Sequence, residues 1–71
     1  MQTKSHTDKF LKAIKKQYPE NLIERWKFIL AERGKGSSYQ KIGDKLKISR
    51  QRVRQIETFL NKKMYDFFLN N

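Results

Sequence analysis

Arg50, Gln51, Arg54 and Gln55 stand at spacings i, i+1, i+4 and i+5, which places all four on one side of an α-helix over two turns. These side-chain types read base edges: an arginine forks onto the O6 and N7 of guanine, and a glutamine pairs with adenine. Around them lie groups suited to phosphate, namely Ser38, Lys41, Lys47, Ser49, Arg52, Lys62 and Lys63. A helix rich in Arg and Gln can equally be a solvated face. What separates the two readings is the context in which the four side chains sit.

That context is the 20-residue run from Ser38 to Glu57. Its apolar positions are Ile42, Leu46, Ile48, Val53 and Ile56, a spacing that predicts two short helices joined by a sharp turn. The first helix buries one stripe, Ile48 plugs the turn, and the second helix packs back across it. Gly43 falls at the helix crossing, where a very small side chain lets two backbones approach. Ser38 and Ser49 precede the two helices and can cap their free N–H groups. Five apolar positions, one small residue, two caps and four readers in one register point to a DNA-binding helix-turn-helix, residues 38–57.

Net charge agrees with a polyanionic partner. The chain of 71 residues carries 17 Lys and Arg against 7 Asp and Glu, a formal net charge of +10. Lysines and arginines displace condensed counterions from phosphates, so this balance is an electrostatic footprint of nucleic acid. From Lys35 to Lys63 nine basic residues face two acids, Asp44 and Glu57. A membrane-surface peptide or a ribosome-associated protein would also be basic, but neither has a use for the helix-turn-helix register.

At these residues the chain resembles region 4 of bacterial RNA polymerase sigma factors of the primary class. The likeness is carried by Tyr39-Gln-Lys-Ile-Gly43 and Ser49-Arg-Gln-Arg-Val-Arg-Gln-Ile-Glu57, and more loosely by Leu22-Ile-Glu-Arg-Trp-Lys-Phe-Ile-Leu-Ala-Glu-Arg-Gly34. It spans Leu22 to Met64, 43 of 71 residues. Two departures stand out: Gln51 replaces a usual glutamate, and Gln40 and Lys41 replace two usual acids. The first loses an acceptor suited to the cytosine amino group and shifts preference toward adenine or toward none. The resemblance implies a domain that docks on the flap of the polymerase β subunit and reads the upstream (−35) promoter element in double-stranded DNA. It also implies that this chain is no full initiation factor, because the region that opens DNA has no counterpart here. Two other roles fit the same motif: a polymerase-binding module with little DNA specificity, and a stand-alone dimeric repressor on a palindromic site.

The elements that must position the readers follow from punctuation. Met1 to His6 is polar, unpatterned and expected to be flexible; residues 7–71 form one domain. Thr7 and Asp8 open a first helix with Phe10, Leu11 and Ile14 on one side, which the Tyr18-Pro19 step should end. Pro19 suits the first turn of a second helix with Glu20 beside its positive end. Leu22, Trp26, Ile29 and Leu30 give that helix a core face, and Gly34 is the expected left-handed residue after it. Lys35 to Ser37 form a loop. The fourth helix begins after Ser49 and runs to Leu69, because Leu60, Met64 and Phe67 or Phe68 extend the stripe of Val53 and Ile56. No segment alternates as a strand would, so the fold class is all-α: a small four-helix domain.

Other chemistries find little to stand on. There is no cysteine and a single His6, so neither disulfides, thiolate metal sites, a catalytic constellation, a cofactor site nor enzyme activity is expected. Gly34-Lys-Gly-Ser-Ser38 resembles the end of a phosphate loop but lacks its first glycine and preceding strand. Trp26, Tyr18, Phe28 and Tyr39 could stack on bases, yet at helical spacing such residues more often build a core. Tyr65-Asp-Phe-Phe-Leu69 either caps that core or offers an apolar face to a partner. With no apolar run of membrane-spanning length and no signal-peptide core, the expectation is a cytoplasmic protein with neither a membrane nor a small-molecule partner.

Overall fold

A computed structural model describes residues 6–69 of the chain. The stretch from Met1 to Ser5, most of the expected flexible N-terminus, lies outside the described residues. Four helices follow one another: α1 (His6–Ile14), α2 (Glu20–Gly34), α3 (Tyr39–Leu46) and α4 (Arg50–Leu69). No strand occurs among the described residues, and the fold is all-α.

Each helix delivers its apolar stripe to one core. Phe10, Leu11 and Ile14 come from α1, Trp26 and Ile29 from α2, Ile42 from α3, and Val53, Ile56 and Leu60 from α4. Burying side chains of this size contributes about 1.5–3 kcal/mol apiece before entropy is counted, and no disulfide is present to help. Aromatic edges tie the far ends together: Phe10 meets Phe67 at 5.8 Å between ring centroids, and Trp26 takes Tyr18 at 4.9 Å and Phe59 at 5.7 Å. Phe67, rather than Phe68, therefore extends the α4 stripe. Tyr65, Phe68 and Leu69 point outward, with Tyr65 67 % exposed.

Three boundaries differ from expectation. α1 stops at Ile14, well before the Tyr18-Pro19 step, and the chain turns on a bond from the Gln17 N–H to the Ile14 carbonyl (2.8 Å). That turn carries the Tyr18 ring onto Trp26. Pro19 is the N-cap of α2 rather than its first helical residue: its backbone is extended (φ −59°, ψ 149°), and its carbonyl accepts the Leu22 and Ile23 N–H groups. Gly34 is the last residue of α2, and the left-handed position falls at Gly36 (φ 93°). The Ser37 N–H reaches the Glu32 carbonyl (2.9 Å) and the Gly36 N–H the Arg33 carbonyl (3.0 Å), the paired bonds of a Schellman ending.

α4 has 20 residues and so runs about 30 Å, nearly the 34 Å long dimension of the molecule. Its C-terminal half is anchored in the core by Leu60 and Phe67. The orientation of its N-terminal half is therefore set by the whole domain.

Candidate nucleic-acid interface

The turn between α3 and α4 is built from three local devices. Ser38 starts α3, its Oγ accepting the Lys41 N–H (3.1 Å); Ser49 starts α4 likewise, accepting the Arg52 N–H (3.0 Å). Between them Lys47 adopts a left-handed conformation (φ 62°, ψ 42°), which lets the Lys47 and Ile48 N–H groups both turn back to the Gly43 carbonyl. Gly43 is buried against this turn. A Cβ there would stand 2.6 Å from the Ile48 carbonyl oxygen and 3.3 Å from the Ser49 carbonyl carbon. The close approach expected of Gly43 is present, and its partner is the backbone leading into α4.

From that start α4 buries Val53 and Ile56 and turns Arg50, Gln51, Arg54 and Gln55 to solvent; all four are exposed. With about 100° between successive residues, Gln51, Gln55, Thr58 and Lys62 form one outward row opposite the buried stripe. Arg50 and Arg54 lie on one flank of that row. Arg52 and Lys63 lie on the other, where the Lys63 ammonium sits 5.8 Å from the Phe59 ring. Arg52 approaches Gln55 at 3.5 Å, a long contact. No acid occupies the first turn of α4, so the charges of Arg50 and Arg52 there add to the positive end of the helix dipole. Lys47 and Ser49, at the turn, and Ser38 and Lys41, at the start of α3, are exposed as well. The structure thus groups the four proposed readers, while the phosphate candidates divide among the start of α3, the turn and two sides of α4.

A network that the sequence does not announce locks this arrangement. The Glu57 carboxylate accepts the Tyr39 hydroxyl on Oε1 (2.6 Å) and the Arg33 Nε on Oε2 (3.1 Å). Arg33 also donates from Nη1 to the Ser37 carbonyl (2.8 Å), and its guanidinium lies 4.3 Å from the Tyr39 ring centroid. α2, α3 and α4 therefore meet at one charge-assisted cluster. The hydrogen bond to Glu57, followed by partial burial, pushes the Tyr39 phenol above its ordinary pKa; the same carboxylate pushes Arg33 up. Beside it, the Ser37 hydroxyl (2.7 Å) and then the Lys35 ammonium (3.3 Å) hold the Glu32 carboxyl below its usual range. The one available signal was that Glu57 is the sole acid between Arg50 and Lys63, directly after a buried isoleucine.

Competing chemistries lose their footing in the same geometry. The N–H groups of Lys35, Gly36 and Ser37 are bonded to α2 carbonyls and so cannot cradle a phosphate. Trp26 is buried and Tyr39 is occupied by Arg33 and Glu57, so neither offers a base-stacking face. Among the described residues there is no group of His, Cys, Asp and Glu able to hold a metal, and no helix is long and apolar enough to cross a membrane.

Residues 21–65, from the start of α2 through most of α4, match the family model described as sigma-70, region 4. No curated protein and no solved structure matches the chain. The matched span contains Gly43, both caps, the exposed face of α4 and the Glu57 cluster. The family is one of DNA-binding regulatory domains associated with RNA polymerase, not of enzymes. With its helix-turn-helix inside that span, the chain belongs to the sigma-70 region 4 family.

Proposed function

We propose that this chain reads a −35-type promoter element in the major groove while docked on RNA polymerase, with the β-subunit flap as the docking point. The observation that supports this reading is the exposed face of the first two turns of α4, held at a fixed angle by Gly43, Ser49 and the Glu57 cluster. In this reading Arg50 and Arg54 fork to guanines, while Gln51 and Gln55 pair with adenines. Lys41, Lys47, Arg52, Lys62, Lys63 and the hydroxyls of Ser38 and Ser49 take phosphates. Each phosphate neutralised steepens the salt dependence of binding by about 0.9 in the logarithmic slope.

One recognition helix gives a small specific interface, so the free chain holds any duplex by charge and discriminates modestly. Attachment to polymerase raises its effective concentration at one promoter position, and a modest preference then decides occupancy. The experiment is to isolate the complex of the chain with core polymerase and footprint it on a pool of randomised promoters. Protection about one helical turn long at the −35 position, losing its base preference in Arg54→Ala, is the expected result. A polymerase complex that leaves that duplex unprotected favours the module with little DNA specificity. A palindromic site bound by two free chains favours the repressor.

A further inference from the structure

Glu57 lies three residues beyond Arg54, the i,i+3 spacing at which an acid and an arginine on one helix pair. Such a pair would fold the Arg54 guanidinium back along α4 and neutralise it before any DNA arrived. Instead both Glu57 oxygens are engaged from outside the helix, Oε1 by the Tyr39 hydroxyl (2.6 Å) and Oε2 by the Arg33 Nε (3.1 Å). Arg33 is itself fixed at two further points, the Ser37 carbonyl (2.8 Å) and the Tyr39 ring (4.3 Å). The Glu57 side chain keeps only 16 % of its exposure. Arg54 belongs to neither the Arg33–Glu57 nor the Lys35–Glu32 ion pair. Yet Arg54 is near: after the dominant bond to Glu57, which raises the Tyr39 pKa, the Arg54 charge is among the influences that lower it.

We infer that Arg33 and Tyr39 are positioning residues for DNA recognition: by occupying both oxygens of Glu57, they leave the Arg54 guanidinium free to face a base. The inference rests on the proposed reading of a base by Arg54. It assigns a DNA-related role to two residues that stand on α2 and at the start of α3, away from the readers on α4. Removal of Arg33 leaves a half-freed carboxylate one turn from Arg54, and the helix pair forms in its place.

The test measures base preference position by position, by competition among duplexes that each differ at one base pair, for the full chain bound to core polymerase. Arg54→Ala is the reference and lowers preference at one position by about tenfold or more. Arg33→Leu lowers preference at that same position by about twofold, and leaves the position lost in Arg50→Ala unchanged. Adding Glu57→Gln to Arg33→Leu restores the preference, because a neutral amide does not hold the guanidinium. Tyr39→Phe, which removes one hydroxyl, gives a smaller loss at the same position and serves if Arg33→Leu fails to fold. Equal losses at every position, or no recovery with Glu57→Gln, overturn the inference in favour of a purely structural cluster. Unchanged preference in Arg54→Ala is a different result and overturns the base-reading role itself.

Discussion

The joints on either side of α3 are closed by different physics. Between α2 and α3, Gly36 supplies a backbone conformation: its φ is 93°, and nothing lies within 4 Å of where a Cβ would stand. Between α3 and α4 the left-handed residue is a lysine, Lys47, and the glycine lies inside α3, where it supplies room. The first joint needs a particular dihedral angle, and its cost if broken is local. The second needs two backbones in contact, so a change there moves the origin of the recognition helix and every side chain it presents.

The largest effect should come from filling that contact. Gly43→Ala places a Cβ 2.6 Å from a backbone oxygen that cannot swing away, and Gly43→Val adds two methyls to the same clash. Both should lower stability by about 1–3 kcal/mol, with valine at the upper end. Helix propensity alone would favour alanine over glycine by about 1 kcal/mol, so the sign of the change in urea melts separates crowding from propensity. Gly36→Ala should cost about 1 kcal/mol through its left-handed angle and leave the DNA preference of the chain intact. If Gly36→Ala disturbed base preference as much as Gly43→Ala, the distinction between the joints would fail.

Titration should separate the first joint, where Glu32 lies, from the Glu57 cluster that ties α4 to α2 and α3. Tyr39 has a raised pKa, so its bond to Glu57 contributes fully below the ordinary tyrosine value of about 10 and is lost as pH rises through the raised one. Glu32 has a lowered pKa; its bonds to Ser37 and Lys35 contribute above the ordinary glutamate range and are lost as pH falls through the lowered value. Melting temperature should therefore fall at the alkaline end in the parent chain and fall less in Tyr39→Phe. Identical alkaline profiles for the two chains would remove Tyr39 from the Glu57 cluster.

The smallest effect is predicted at Lys47. Its left-handed backbone costs about 1–2 kcal/mol in a residue with a Cβ, while glycine carries its own entropic cost of about 0.5–1 kcal/mol in the unfolded chain. Lys47→Gly should thus raise stability by no more than about 1 kcal/mol. As one phosphate contact is lost in the proposed reading, the salt slope of DNA binding should flatten by about one. Gained stability with an unchanged slope would place Lys47 away from the DNA.

Local signals were legible in the sequence and long-range ones were not. The two serine caps, the Gly43 approach, the plug at Ile48 and the stripe of Val53, Ile56 and Leu60 all depend on neighbours within a few residues. The end of α1 at Ile14 goes with a turn that sets Tyr18 against Trp26, a distant partner that no nearby residue foretells. Two glycines stand within three residues at the end of α2, and choosing Gly36 over Gly34 required knowing where α3 begins. The Arg33–Tyr39–Glu57 cluster joins residues 24 and 18 positions apart, so periodicity carries no trace of it.

Whether the first two turns of α4 face the bases of a duplex is read most directly by a side-chain nuclear magnetic resonance titration. With labelled arginine and glutamine side chains, promoter duplex is added to the chain at a salt concentration where binding is half saturated. The guanidinium and amide signals of Arg50, Gln51, Arg54 and Gln55 should shift together, while those of Arg33 and Gln17 stay in place. Shifts confined to the outward aromatic end around Tyr65 and Leu69, with the four α4 side chains unmoved, would contradict it.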